Sequence, residues 1–121
     1  MATILIAEDD STMRHFLSMA LQRAGHEVEA CADGMEALNL LETTDVPFDL
    51  LLADIVMPGM DGIELSHRAA RLRPGLKVMF ITGFAGVAMS KAEPEQQKHI
   101  LSKPFHLKEL VDQVEQILTA R

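Results

Sequence analysis

The chain has 121 residues, a formal net charge of −7, 48% apolar and 24% charged residues. That length predicts one domain over residues 1–121 with a real core. The acidic balance, with no basic stripe, argues against nucleic acid and membrane surfaces as partners. No apolar run approaches the ~18 residues a membrane span needs. Met1-Ala2-Thr3 lacks a charged leader, and the lone Cys31 fits a reducing cytoplasm.

Strand and helix patterns alternate along the chain. Thr3 to Ala7 is a short apolar run and predicts the first strand. A helix follows, capped by Asp10 or Ser11 and closed by Gly25, with Met13, Phe16, Leu17, Ala20, Leu21 and Ala24 on one face. His26 to Cys31 predicts a short strand. Asp33-Gly34 is a turn signal, and Met35, Leu38 and Leu41 mark a second helix. Phe48 to Ala53 predicts the central strand, and 62–72 a third helix closed by Arg73-Pro74-Gly75. Leu76 to Ile81 predicts a fourth strand ending at Thr82-Gly83. Between Phe84 and Lys98, Gly86 and Pro94 interrupt the pattern and predict a short or distorted helix. His99 to Ser102 predicts a fifth strand. A last helix carries Leu107, Leu110, Val111, Val114, Ile117 and Leu118 on one stripe. Five such units predict an α/β fold, a doubly wound parallel sheet covered on both faces; a barrel needs roughly twice the length.

In that fold the ligand site lies at the carboxyl ends of the strands. Those ends carry Glu8-Asp9-Asp10, Asp54, Thr82 and Lys103. Facing carboxylates repel unless a cation joins them. Oxygen donors of this kind suit Mg2+. Asp9 and Asp54 can ligate directly, Glu8 through water, and the Val56 carbonyl adds a further oxygen. A carboxylate such as Asp54 can also act as a nucleophile toward phosphorus. The metal and Lys103 would supply positive charge around the phosphoryl oxygens, and the Thr82 hydroxyl would donate to one of them. Taken singly, these residues have plainer readings: Asp54 as a strand-end cap, Thr82 as a turn hydroxyl, Lys103 as a solvated charge. The five histidines lack metal-ligand spacing and are expected on the surface. Ser11 and Thr12 are expected as caps. Met57 and Met60 are expected to pack locally.

Four segments in order, Ala7-Glu8-Asp9-Asp10, Asp54 to Gly62, Phe80-Ile81-Thr82-Gly83 and Ser102-Lys103-Pro104-Phe105, resemble the CheY-like receiver domains of two-component response regulators. The resemblance spans the whole chain and implies a flavodoxin-like sheet of order 2-1-3-4-5. It implies that Asp54 accepts a phosphoryl group from a histidine kinase or histidine phosphotransferase. It implies Mg2+ on Glu8, Asp9, Asp54 and the Val56 carbonyl, Lys103 paired with the phosphoryl group, and a cis Lys103–Pro104 bond. Asp10 is expected to cap a helix first and to serve the metal second. Segments 50–70, 77–88 and 101–118 are similar to a cell-cycle branch of stand-alone receivers that prime the ClpXP protease, active when unphosphorylated. That likeness implies ClpX as a partner, and a monomer or weak dimer whose output is a binding surface rather than an enzymatic reaction.

Two positions depart from the family. Where most receivers place a switch aromatic three residues before the lysine, this chain has Ile100. Phe84, two residues after Thr82, is expected to take over that packing change. Val56 and Phe84 also give the acceptor an apolar rim, which predicts a persistent phospho-form. Competing readings are a phosphate shuttle or chemotaxis-type receiver, a haloacid-dehalogenase-type phosphatase and a flavodoxin-like FMN carrier. The phosphatase needs a second acid where Val56 stands. The carrier needs a hydroxyl- and glycine-rich loop where this chain has carboxylates.

Overall fold

The computed structural model of the protein describes residues 1–83 and 99–120. Five strands, β1 (Thr3–Ala7), β2 (Glu27–Cys31), β3 (Leu50–Asp54), β4 (Lys77–Thr82) and β5 (Ile100–Ser102), form one parallel sheet of order β2-β1-β3-β4-β5. The described helices are α1 (Ser11–Arg23), α2 (Gly34–Thr43), α3 (Gly62–Leu72) and α4 (Leu107–Thr119). The irregular stretch expected between Phe84 and Lys98 lies outside the described residues.

Strand alternation divides the core in two. Leu5, Ala7, Leu51, Ala53 and Phe80 face α2 and α3. Ile4, Ile6, Leu50, Leu52, Met79 and Ile81 face α1 and α4. The chain order reverses between β1 and β3, which are direct neighbours, with Ala7 opposite Ala53. That reversal opens a crevice at the carboxyl ends of the two strands.

The helix termini follow local chemistry. Asp10 caps α1, its Oδ1 accepting from the amides of Thr12 at 2.9 Å and Met13 at 3.2 Å. Ser11 and Thr12 are therefore helical residues, not caps, because the carboxylate satisfies the amides that their hydroxyls would have served. Gly25 follows the C-terminus of α1 with φ +97°, a left-handed conformation that favours glycine. Asp33 opens α2 as its cap, with Glu36 N donating to Oδ1 at 2.8 Å. Asp61 caps α3 in the same way through Glu64 N, also at 2.8 Å.

Long cations tie the loops down. The Arg73 guanidinium donates to the carbonyls of Leu41, Thr44 and Val46. Lys77 Nζ donates to those of Ile117, Leu118 and Ala120, where the unpaired carbonyls and dipole of α4 welcome a cation.

Several expectations change. The central strand begins at Leu50, not Phe48, and ends on Asp54 itself. Its five residues are all buried, as two-sided covering requires. The edge strand β2 is mostly open, and Glu27 and Glu29 are exposed. Met35, Phe16 and Leu107 sit at apolar-periodic positions but are exposed, because each helix covers the sheet over a narrower arc than its apolar stripe. His26 is buried rather than on the surface. Its Nδ1 accepts from Ala2 N at 3.1 Å, so Nε2 carries the proton it shares with Glu115 at 2.9 Å. Met57 and Met60 are buried in the core beside α2 and α3.

Candidate functional site

The crevice between β1 and β3 gathers the acidic residues. Glu8 follows β1 directly; its amide donates to Cys31 O at 3.0 Å, which extends the pairing with β2. Its side chain is fully buried, whereas Asp9 is exposed. Asp54 ends β3 and is 5% exposed. The β1–β3 register therefore sets Glu8 beside Asp54. One carboxylate oxygen from each of Glu8, Asp9 and Asp54 lies within 4.8 Å of the others.

Lys103 arrives from the other side. Thr82 pairs with Ser102 across β4 and β5, and Lys103 N donates to Thr82 O at 2.7 Å. The Lys103–Pro104 peptide is cis. The ammonium donates to Glu8 Oε1 and to Asp54 Oδ2, each at 3.0 Å. Backbone amides serve the remaining oxygens. Val56 N donates to Asp54 Oδ1 at 3.1 Å and Asp10 N to Glu8 Oε2 at 3.3 Å. Thr82 is fully buried at the end of β4.

Two buried carboxylates thus share one ammonium, with Asp9 a third acid close by, and the electrostatics follow. Burial, together with the hydrogen bond to Asp54, pushes Glu8 up to about 7 even though Lys103 opposes the shift. Burial also works against the Lys103 ammonium, but Glu8 and Asp54 outweigh it and hold its pKa above the ordinary lysine value. Hard oxygen donors in excess of their counter-charge match the needs of a divalent cation. Burial and the nearby Glu36, Glu29 and Asp33 push the Cys31 thiol up to about 12, so it is not a nucleophile at neutral pH.

Glu8, Asp9, Asp54, Thr82 and Lys103 all meet at this rim. Val56 lies two residues beyond Asp54 and is 46% exposed. Ile100 is half-buried against the core on the α2–α3 face. Phe84 lies outside the described residues. Two residues not named as site residues from the sequence also shape the pocket. Gly62 opens α3 against the backbone of Asp54: a Cβ there would lie 2.3 Å from Asp54 O. Arg14 reaches back from α1, its NH1 2.8 Å from Glu8 O and 3.5 Å from Asp9 O. The only hint of Arg14 in the sequence is a cation near a helix N-terminus, where the dipole disfavours it. Beside the pocket, Met13, Phe16, Pro104 and Phe105 line a shallow apolar groove, the two phenylalanine rings 6.3 Å apart.

The model of the response regulator receiver domain matches residues 4–115. The response regulator receiver protein CpdR of Brucella abortus (strain 2308) is 50% identical over 121 residues, covering 99% of each chain. The sensor kinase CckA of the same strain is 36% identical over 118 residues, 97% of this chain but 12% of that kinase. Among solved structures, the receiver domain of the hybrid histidine kinase CckA superposes with a TM-score of 0.82 at 35% identity, covering 97% of this chain and 99% of that one. A response regulator receiver protein from Sinorhizobium medicae WSM419 gives 0.87 at 29% identity, covering 98% and 95%. The chain therefore belongs to the response regulator receiver family.

Proposed function

We propose that Asp54 is the phosphoacceptor of a response regulator whose phosphorylation state controls a protein-binding surface. The observation that carries this reading is the buried Asp54 carboxylate, held at 3.0 Å by the Lys103 ammonium beside two further acids. An oxygen of Asp54 attacks the phosphorus of a phosphohistidine; the P–O bond forms as the P–N bond breaks, and the imidazole leaves with the bonding pair. Lys103 and the Thr82 hydroxyl then engage phosphoryl oxygens. Glu8, Asp9, Asp54 and the Val56 carbonyl would hold Mg2+, which supplies charge neutralisation during transfer.

The donor is a histidine kinase or histidine phosphotransferase in the cytoplasm. The 50% identity to CpdR supports ClpX of the ClpXP protease as the output partner, bound in one phosphorylation state. The chain is an acceptor rather than a turnover phosphatase, since Val56 stands where a haloacid-dehalogenase-type site needs an acid. Incubation with acetyl phosphate and Mg2+ should add one phosphoryl mass to the wild type and none to Asp54→Ala. Equal labelling of both sinks the reading. Pull-down of ClpX by the two proteins should differ; equal capture removes the adaptor role, and transfer to a second histidine protein would make the chain a shuttle.

A further inference from the structure

We infer that Arg14 is a positioning residue for the magnesium site, holding the β1–α1 loop so that Glu8 and Asp9 present their carboxylates together. The inference rests on the reading of those two residues as metal ligands. Arg14 is the fourth residue of α1, and its amide donates to Asp10 O at 2.8 Å within the helix. Its side chain turns back over that first turn. The guanidinium reaches Glu8 O at 2.8 Å and Asp9 O at 3.5 Å, so one rigid group spans the two consecutive peptides that bear the acids.

Glu8 is thereby held on four sides. Cys31 O takes its amide, Arg14 takes its carbonyl, and Lys103 and Asp10 N take its two carboxylate oxygens. Asp9 differs, being exposed on the bend beyond the strand, and Arg14 is what connects its peptide to the helix. The placement runs against helix electrostatics, because a cation at an N-terminal turn opposes the macrodipole. α1 carries no acidic residue within its first turn, and the Asp10 carboxylate that caps it is already engaged by the amides of Thr12 and Met13. What offsets that cost is local to the loop. Two carbonyls receive charge-assisted donors, and a cation stands behind a segment whose carboxylates repel one another. Both contacts come from the single nitrogen NH1 of the planar guanidinium, and a lysine would place there a compact, more strongly hydrated ammonium on a flexible stem.

Residues that orient metal ligands without touching the metal typically change affinity by about tenfold or more when removed. Titration with MgCl2, followed by the amide NMR shifts of Glu8, Asp9 and Asp54, gives the midpoint directly. Arg14→Ala should shift it about tenfold upward, and Arg14→Lys should fall between. Labelling by acetyl phosphate should then be about tenfold slower for Arg14→Ala at limiting Mg2+ and return to the wild-type rate at saturation. Arg23→Ala, an exposed cation at the far end of α1, should leave the midpoint alone. A folded Arg14→Ala or Arg14→Lys protein with the wild-type midpoint overturns the inference, even if its thermal stability falls. Should the alanine variant not fold, the lysine variant decides by the same criterion. A wild type that shows no response to MgCl2 removes the metal reading itself, and the inference with it.

Discussion

Replacing Gly62 by alanine tests whether the backbone of the strand that ends on Asp54 is as tightly held as the packing implies. The added Cβ would lie 2.3 Å from Asp54 O, 2.9 Å from Asp54 C and 3.0 Å from Ile55 Cα. Comfortable carbon contacts lie near 3.5 Å, so the overlap is about 1 Å. All three atoms are main chain, and no side-chain rotation relieves them. The first turn of α3 must move away from β3, stretching the 2.9 Å bond from Gly62 N to Ile55 O. Overpacking of this kind costs about 1–3 kcal/mol, and weakening the bond adds about 1 kcal/mol. For 121 residues the unfolding entropy is about 0.25 kcal/mol/K, so a loss of roughly 3 kcal/mol lowers Tm by about 12 °C. A displacement of about 1 Å at a reacting group costs on the order of 100-fold in rate. With no Trp or Tyr in the chain, circular dichroism is the stability assay, and timed acetyl phosphate labelling reads the rate. An alanine variant that melts within about 2 °C of the wild type and labels at the same speed refutes the claim that this contact sets the position of Asp54.

The raised Glu8 pKa gives a pH signature. Between the ordinary 4.5 and about 7, the native protein keeps a proton that the unfolded chain has released. Stability of the metal-free protein should therefore fall by about 3 kcal/mol across that window and level off above it, as denaturant titrations at several pH values will record. Because a ligand carboxylate must be ionised, Mg2+ affinity should rise as pH climbs toward 7; a pH-independent midpoint from 5.5 to 7.5, values bracketing about 7, contradicts the shift. Lys103→Met leaves Glu8 and Asp54 facing each other without their shared cation, and should cost about 3 kcal/mol at pH 7. The deficit should shrink near pH 5, where carboxyl protonation relieves the repulsion, and a deficit that stays constant with pH argues against it. His26→Leu removes the acceptor for the buried Ala2 amide and should destabilise by about 1–3 kcal/mol. An unchanged denaturant midpoint would show that the amide finds another partner.

Strands and helices were legible where local chemistry alone decides them. The apolar run at residues 3–7 and the stretch 62–72 closed by Arg73-Pro74-Gly75 give β1 and α3. The acidic pair, Asp54, Thr82 and Lys103 were legible because apolar strands end abruptly in residues that have no structural reason to gather there. What escaped depended on distant neighbours. Phe16, Met35 and Leu107 lie on apolar stripes, yet nothing in their own segments tells how much of each stripe the sheet covers. His26 is internal because Ala2 and Glu115, 24 and 89 residues away, offer it partners. Arg14, Arg73 and Lys77 work through main-chain carbonyls, which every residue possesses, so no motif marks them.

The two margins of the sheet bear on how the protein behaves when crowded. A parallel sheet leaves unsatisfied main-chain groups along its outermost strands, ready to template a neighbour. On one margin β2 projects Glu27 and Glu29, so a second molecule approaching in register meets like charge. On the other, β5 offers only three residues, too short to seed a lasting ladder. Fibril growth by edge addition is thus discouraged on both sides, and neutralising Glu27 and Glu29 is the change that would invite it.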